Sequence, residues 1–554
     1  MTSTILSLLT PGAAAEFHRR GDWEDRTIYG VMRDQAAARP NADAISDRGR
    51  TLTYAQLQAA ADALAADLYA RGVRAGHRVA YWLPDRVESA ITVLACSRNG
   101  YVVCPSPHRN HTVAEVAGLQ ERMRAAAFIY QDGFGSDADK ADIAAEIASL
   151  GSLRHVYRMG AVDRSAPFAG ALLGNPGDCP PPIEDPDRVS YLAFTSGSTG
   201  RPKGVMHSDN TQLVTARGIS TDWKIGPGSV VYSMSPFSHN LGMGALLTSL
   251  YGGASFVVHD RARGESTIER VLEVDASYLV GVPTHAIDLL DEMEARGMDR
   301  LGRVTGFRIS GAAAPRTVFE RLIKAGVDPQ SGYGMTETNG HQYTRPGDDP
   351  ALIMGSCGRA VPGYEVRVFD PDDPDRMLPQ GETGIVAGKG ACLMLGYYED
   401  QGATEICFNS DGWFMTGDLG VVDEAGYLRL TGRRKEVIIR GGHNINPERI
   451  EELAMRHAAI ERAAALPVPD DRLGERVCLA VMFRNGDTLG FEAMLDHLAA
   501  QGLSRYDMPE FALALDDIPL MSNGKIQKKD IMVWIREGRA VPEPVRYVPP
   551  EKTA

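Results

Sequence analysis

The run Phe194-Thr195-Ser196-Gly197-Ser198-Thr199-Gly200-Arg201-Pro202-Lys203-Gly204 gathers hydroxyls, glycines and a lysine held behind a proline. Hydroxyls and backbone N–H groups donate to anionic oxygen. Glycine lets the backbone approach it closely, and Lys203 adds a positive charge. That is the chemistry of a polyphosphate cradle. The order G-x-x-x-x-G-K-[ST] is absent, so this is not a Walker loop. A Ser/Gly linker is the plainer alternative. Against it, Tyr191-Leu192-Ala193-Phe194 reads as a short buried strand, and a linker has no use for the Pro-Lys-Gly ending.

Other residue groups are chemically suggestive and weak one by one. Tyr333-Gly334-Met335-Thr336-Glu337 offers an aromatic face, a hydroxyl and a carboxylate. On its own it is a strand and turn with one exposed Glu. Ser310-Gly311-Ala312-Ala313-Ala314-Pro315 follows a strand and has almost no side-chain bulk, which by itself suits the close packing of a turn. Thr416-Gly417-Asp418 ends on a carboxylate that can only accept hydrogen bonds, although T-G-D is also a common turn. Lys525, in Asn523-Gly524-Lys525, stands close to Lys528 and Lys529 and alone reads as a solvated lysine.

These groups need a scaffold, and the pattern around them supplies one. An amphipathic helix is expected near Thr27 to Arg39, within a leading segment of residues 1–50. Ala55 to Arg71 has helical spacing and Gly72 closes it. His77 to Leu83 and Gly100 to Pro105 read as buried strands flanking a helix from Arg86 to Asn99. Val230 to Met234, Ser255 to His259, Tyr278 to Val282 and Gly306 to Ser310 continue the rhythm, with a helix from Leu241 to Tyr251. Strands alternating with helices predict parallel or mixed sheets covered on both faces. In such sheets ligands bind at the carboxyl ends of strands. The loop Pro105 to His111 lies at such an end, where a Pro-ordered turn is an equal alternative.

Residues 161–188, rich in Pro, Gly and Asp, read as a surface connection. Beyond about residue 355 short alternating strands, Val366 to Phe369, Gly384 to Ala387 and Tyr427 to Leu430, predict a small antiparallel, barrel-like β unit. The charged run Arg433-Arg434-Lys435-Glu436 marks a boundary. The expected organisation is α/β: a large domain over 1–432 and a small, mobile α+β domain over 433–554.

A chain of 554 residues exceeds one core, so several domains are required. The net charge of -14 disfavours nucleic acid or an anionic membrane as partner. No apolar run reaches the ~18 residues that span a bilayer, and Met1 to Thr10 lacks a basic leader. Seven scattered cysteines without C-x-x-C favour reduced thiols in a cytoplasm over disulfides or zinc. None sits in a nucleophile setting.

Taken in order, the opening loop, Tyr333 to Glu337, Thr416 to Asp418, Gly432 to Glu436, Gly441-Gly442-His443-Asn444-Ile445-Asn446-Pro447 with Glu448 and Glu451, and Asn523 to Lys525 resemble the adenylate-forming superfamily. That superfamily comprises acyl-CoA synthetases, adenylation domains and luciferases, and the resemblance covers essentially the whole chain. It implies two half-reactions. A carboxylate attacks the α-phosphorus of ATP, giving an acyl-adenylate and pyrophosphate; a thiol then attacks the acyl carbon and releases AMP.

The resemblance implies that Thr195, Ser196, Gly197, Ser198, Thr199, Gly200 and Lys203 hold the β- and γ-phosphates. Glu337, with Thr195, would ligate Mg²⁺, and Thr336 would contact the α-phosphate. Tyr333, Gly334, Met335, Gly311, Ala312 and Ala313 would lie along adenine and the acyl group; alanine stands here where the family often has a second glycine. Asp418 and Arg433 would take the ribose. Lys525 would bridge the carboxylate and the α-phosphate, and Gly441, Gly442 and His443 would line the path of the CoA pantetheine. Lys435 occupies the position of the hinge about which the small domain alternates between half-reactions.

The acid pocket is expected to draw on Phe237, Asn240, Met243, Gly281, Gly311, Gly334, Met335 and His341. His239 either reads the substrate, gates the site or satisfies a core hydrogen bond. The Pro107-His108-Arg109 loop and the Ser-His-Asn segment resemble aryl acid-activating enzymes such as dihydroxybenzoate–AMP ligases. Thr336 to Thr344 and Gly441 to Pro447 resemble cyclohexanecarboxylate-type CoA ligases. Both imply a compact cyclic or medium-chain acid rather than a long fatty acid. The leading expectation is an ATP-dependent acid–CoA ligase using ATP, Mg²⁺ and CoA, as a monomer or a homodimer. The alternatives are a stand-alone ligase that loads the phosphopantetheine of a separate carrier, since no D-S-L-like site follows Lys525, and a catalytically silent nucleotide- or acyl-binding protein.

Overall fold

The structure is a computed structural model. It describes residues 10–547 except 106–107, 110, 161–165, 175–178, 196–201, 262–263, 434–437, 441–442, 471–472, 485–486, 504–506 and 522–523; strand residues 433, 439, 443, 444 and 474 are described by backbone alone. The chain forms two compact units. One comprises Met1–Gly311, Arg321–Glu365 and Gly388–Phe408; the other comprises Ala312–Glu320, Val366–Ala387 and Asn409–Ala554.

The first unit is built on two sheets. The seven-stranded sheet runs Gly396–Tyr397, Lys203–Ser208, Val189–Thr195, Val102–Cys104, Arg78–Trp82, Ala127–Gln131, His155–Met159. Its last five strands are parallel, whereas Lys203–Ser208 and Gly396–Tyr397 add on antiparallel. The nine-stranded sheet runs Arg359–Ala360, Asn339–Tyr343, Asp328–Met335, Gly306–Ile309, Tyr278–Gly281, Val230–Ser233, Ser255–Val258, Asp43–Asp47, Arg50–Thr53. It too has a parallel centre and antiparallel edges. The sheets are therefore mixed. Each parallel centre is a set of mostly apolar strands, as burial on both faces demands; every residue of Arg78–Trp82 and of Gly306–Ile309 is buried, Arg78 and Arg308 included.

The helices begin where their capping residues place them. Thr53 with Gln56 and Thr112 with Glu115 form capping boxes that open Tyr54–Ala70 and Val113–Met123. Asn240–Gly252 lies one residue from its expected limits. Helix Pro11–Arg20 was not anticipated: it has no buried residue, although Thr10 caps it and Pro11 occupies its first position.

In the second unit, the C-terminal sheet runs His443–Ile445, Ile438–Arg440, Gly474–Phe483, Phe511–Ala514, Glu543–Pro544, with Ile460–Asp470 also paired to Gly474–Phe483. Alternation along one strand feeds two cores. Val477, Leu479 and Val481 face Ile450, Leu453, Leu495 and Leu498, whereas Cys478, Ala480 and Met482 face Ile518 and Ile531. Each such aliphatic side chain contributes about 1.5–3 kcal/mol by leaving water. A one-residue slip would exchange the two sets, so the register is well determined. Ahead of this sheet, the order Tyr364–Phe369, Gly384–Gly390, Phe414–Val422, Leu428–Arg433 makes the small β unit read from the sequence.

Candidate active site

The glycine-rich loop is the connection of a β-hairpin. Thr195 ends one strand and pairs with Lys203, which begins the next. Ser196, Gly197, Ser198, Thr199 and Gly200 lie outside the described residues. The Lys203 ammonium stands 4.8 Å from the centre of the Tyr397 ring, within cation–π range. The Tyr397 hydroxyl in turn donates to Oε1 of Glu337 at 2.8 Å. The lysine beside the loop and the candidate metal-ligating carboxylate thus meet on one aromatic side chain.

Thr336 and Glu337 occupy the turn between Asp328–Met335 and Asn339–Tyr343. The turn is gripped from several directions. Nε2 of buried His207 lies 2.7 Å from the Thr336 carbonyl, which can only accept, so the proton sits on Nε2. Burial holds His207 down to about 4, against the bond to Thr336, and keeps it neutral near pH 7. The Met394 amide donates to the Glu337 carbonyl at 2.7 Å. Asn339, in the left-handed region with φ 54, donates to the carbonyls of Thr211 at 3.1 Å and Cys392 at 3.0 Å. Tyr333, Gly334 and Met335 lead into the turn. A Cβ on Gly334 would stand 1.8 Å from the Asn339 carbonyl oxygen, so the two strands close only over glycine.

The acid-pocket candidates gather at strand ends of the nine-stranded sheet. Phe237 is buried, packs on Phe256 and donates its amide to Asp85 at 2.9 Å. Burial is the main cause that raises Asp85 to about 7, and neighbouring Asp260 adds to it. His239 precedes the helix and stacks on His108, with centroids 4.1 Å apart and planes 13° from parallel. Burial, aided by His239, pushes His108 well below the usual imidazole range. Asn240 donates to Oδ1 of Asn339 at 3.2 Å, tying this helix to the Thr336–Glu337 turn. Met243 is fully buried one turn further on. Gly281 ends its strand where a Cβ would stand 3.0 Å from Nδ1 of His285. His341 is buried between the rings of Tyr333 and Tyr364, at 5.3 and 4.6 Å. Gly311 has φ 94, and Ala312 and Ala313 beyond it are exposed.

In the second unit, Asp418 and Arg433 are register partners in an antiparallel pair. Asp418 is buried and its amide donates to Oγ1 of Thr416 at 3.1 Å. Lys435, Gly441 and Gly442 lie outside the described residues. His443 starts the edge strand and pairs with Arg440. Lys525 follows Gly524, which has φ 78, and its carbonyl accepts the Met521 amide at 2.7 Å.

Sequence reasoning missed Tyr397, His207 and Asp85. Tyr397 carried one signal, the Gly396-Tyr397-Tyr398 run, with no spacing relation to Glu337. None of the seven cysteines is in a disulfide, and burial pushes Cys104 and Cys478 up to about 12, far from an activated thiolate. Among the described residues no helix is long and apolar enough to cross a membrane.

Comparison with known proteins agrees with this layout. The sequence profile described as AMP-binding enzyme matches residues 32–398, and that of the AMP-binding enzyme C-terminal domain matches 449–525. The chain is 28% identical over 531 residues to the medium-chain fatty-acid–CoA ligase of Escherichia coli, covering 94% of this chain and 93% of that one. It is 30% identical over 528 residues to the 3-[(3aS,4S,7aS)-7a-methyl-1,5-dioxo-octahydro-1H-inden-4-yl]propanoyl:CoA ligase of Mycobacterium tuberculosis, covering 91% and 98%. Among solved structures, ATP-bound MatB from Rhodopseudomonas palustris superposes with a TM-score of 0.80 at 28% identity, covering 92% of this chain and 99% of that chain. With most of its length matched by both profile and relatives, the chain belongs to the AMP-binding enzyme family, within the adenylate-forming superfamily of acyl-CoA synthetases.

Proposed function

We propose that this protein is an ATP-dependent carboxylic acid–CoA ligase acting on a compact cyclic or medium-chain acid. The observation that carries the reading is the convergence of Lys203 and Glu337 on Tyr397 beside the glycine-rich hairpin. It sets a cation and a carboxylate next to a loop suited to triphosphate. In the first half-reaction an oxygen of the acid attacks the α-phosphorus of ATP, and the bond to pyrophosphate breaks. Phosphoryl-group chemistry of this kind depends on positioning and charge compensation, which Lys203, Thr336 and Lys525 supply. Asp418, opposite Arg433, accepts from the ribose hydroxyls.

Mg²⁺ fits the donor chemistry. Glu337 and the Thr195 hydroxyl are hard oxygen donors. Among the described residues no cluster of His, Cys, Asp or Glu would hold an ion alone, as suits a cation that takes its remaining ligands from phosphate and water. When bound, it would offset phosphate charge. Glu337 would hold it, with its carboxylate oriented by Tyr397.

In the second half-reaction a thiol attacks the acyl carbon and AMP leaves. Burial raises the pKa of the Cys96, Cys104, Cys392 and Cys478 thiols, which supports an external thiol, CoA, along Gly441, Gly442 and His443. The boundary at 432/433, with Lys435 as hinge, separates a nucleotide- and acid-binding part from the part carrying Lys525. The reduced cysteines suit a cytoplasmic setting.

For the acid, the aromatic and imidazole surfaces of Phe237, His239 and His108, with the amide of Asn240, suit a ring or a short chain with polar substituents. The relatives named above for a medium-chain acid and for a fused-ring propanoic acid lie on either side of this class. The test is a carboxylic acid panel with ATP and either CoA or a holo-carrier, scored by AMP release and product mass, together with Lys525→Ala. Cyclic acids with CoA should give the fastest release. Lys525→Ala should abolish adenylate formation and spare thioester formation from supplied acyl-adenylate. Equal loss in both half-reactions, or turnover with a carrier alone, would refute the assignment.

A further inference from the structure

Tyr397 is a side chain to which the reaction scheme assigns no contact with substrate, yet the structure surrounds it with the groups that matter most. It lies in the two-residue strand Gly396–Tyr397, opposite Val205 of the strand that Lys203 begins. Its amide donates to Oγ1 of Thr404 at 2.9 Å, which fixes its backbone. The residue is 6% exposed, so the ring has little freedom. The segment it ends also holds Glu337 by the main chain, through the Met394 amide on the Glu337 carbonyl at 2.7 Å. The same short segment therefore grips Glu337 twice, once by its carbonyl and once by its carboxylate oxygen at 2.8 Å. On the ring face, Lys203 stands 4.8 Å from the centroid.

We propose that Tyr397 is a positioning residue for adenylation: its hydroxyl orients the Glu337 carboxylate toward a divalent cation, and its ring face seats Lys203 toward the phosphates. The inference rests on the acyl-CoA ligase reading above. Two different atoms of one rigid side chain do the two jobs, so the jobs are separable by mutation. The hydroxyl donates to the carboxylate oxygen at 2.8 Å, and a carboxylate oxygen can only accept. A hydrogen bond to a charged acceptor is among the stronger kinds, and its loss removes one of the contacts that orient the Glu337 carboxylate. Loss of the ring removes the cation–π seat as well.

Tyr397→Phe removes the hydroxyl and keeps the ring; Tyr397→Leu removes both. ATP affinity is measured by titration calorimetry with Mg²⁺ and again with excess EDTA, alongside thermal melting. For Tyr397→Phe we expect ATP binding in Mg²⁺ to weaken about tenfold, the scale of one charge-assisted hydrogen bond. Binding in EDTA should stay within about twofold of wild type, as no contact to the phosphates is lost. Tyr397→Leu should weaken both. A Tyr397→Phe enzyme with the wild-type difference between the two conditions overturns the inference. So does a variant that weakens both conditions in step with a lowered melting temperature, the mark of a merely structural residue. Wild-type protein that fails to bind ATP at all would overturn the functional reading, and this inference with it.

Discussion

The ammonium of Lys528 lies 2.6 Å from Oε1 of Glu451, and the same oxygen accepts the Ala465 amide at 2.7 Å. Glu451 belongs to helix Pro447–Ala454, and Lys528 opens helix Lys528–Arg536, three residues beyond Lys525. The pair therefore ties the segment that presents Lys525 to a helix remote in sequence. Burial raises the Glu451 pKa and Lys528 opposes that rise, so the carboxylate depends on its partner. Breaking one half of a buried pair costs about 3–5 kcal/mol, and somewhat less where water reaches the lysine as here.

Lys528→Met should accordingly lower the melting temperature and slow acid-dependent pyrophosphate exchange by about tenfold or more, since Lys525 loses its anchor. Thioester formation from supplied acyl-adenylate should change far less. Glu451→Gln in the same chain should restore much of the stability, because the unpaired charge is gone. Unchanged exchange in Lys528→Met would show that the pair does not support Lys525.

Gly334 is the second test. A methyl group there would meet the Asn339 carbonyl oxygen at 1.8 Å and the Gly340 Cα at 2.7 Å, both backbone atoms that cannot rotate away. Gly334→Ala must push the two strands apart, at a cost of about 1–3 kcal/mol for overpacking. The turn between them carries Thr336 and Glu337, so activity should fall by more than the loss of stability explains. Urea denaturation and pyrophosphate exchange, measured on the same preparation, separate the two effects. Wild-type behaviour in both would contradict the closeness of the strands.

What the sequence made legible, and what it did not, follows from how far apart the cooperating residues lie. Tyr278–Gly281 and Gly306–Ile309 were readable almost to the residue, since each is a short run, apolar apart from Arg308, bounded by turn residues. The hairpin that presents the glycine-rich loop was half readable: the strand before it was plain, whereas Lys203 proved to begin the returning strand. Tyr397 was not readable. It lies 60 residues from Glu337, and only the pairing of a two-residue strand brings it there. His207 reaches Thr336 across 129 residues in the same way. Periodicity reports which face of an element is buried, but not which distant element covers it. Asp418 and Arg433 show the intermediate case. Each was picked out singly by motif, and the strand register then set them opposite one another.

Asp85 supplies a third prediction. Burial raises it to about 7, so the folded protein holds a proton that the unfolded chain releases near 4. Its contribution to stability is therefore present at low pH and is lost as pH rises from about 4 through 7. Asn at this position keeps an oxygen for the Phe237 amide and cannot ionise. Asp85→Asn should exceed wild type in urea midpoint by a small margin at pH 5 and by a wider one at pH 8. A variant less stable than wild type at pH 8 would mean that the ionised carboxylate is itself required.

The last prediction concerns two histidines whose sign runs the other way. His207 and His341 are 0% and 1% exposed, and burial holds them down to about 4 and about 3. Backbone hydrogen bonds oppose the shift in both without cancelling it. An unfolded chain takes up protons at these positions once the pH falls below about 6.5. The folded protein does so only some units lower, so stability falls as pH drops from about 6.5 to about 3 and levels off below that. Each full shift corresponds to roughly 3–5 kcal/mol, a large part of the 5–15 kcal/mol that a domain has in hand. Asp85 acts in the opposite direction, but it is one group against two. Urea midpoints measured from pH 7.5 to pH 5 should therefore decline. The decline should be shallower in His207→Gln, which keeps an N–H for the Thr336 carbonyl without a titrating ring. An identical slope in the variant would mean that water enters and solvates the His207 imidazolium, and that the turn holding Glu337 is looser than its hydrogen bonds imply.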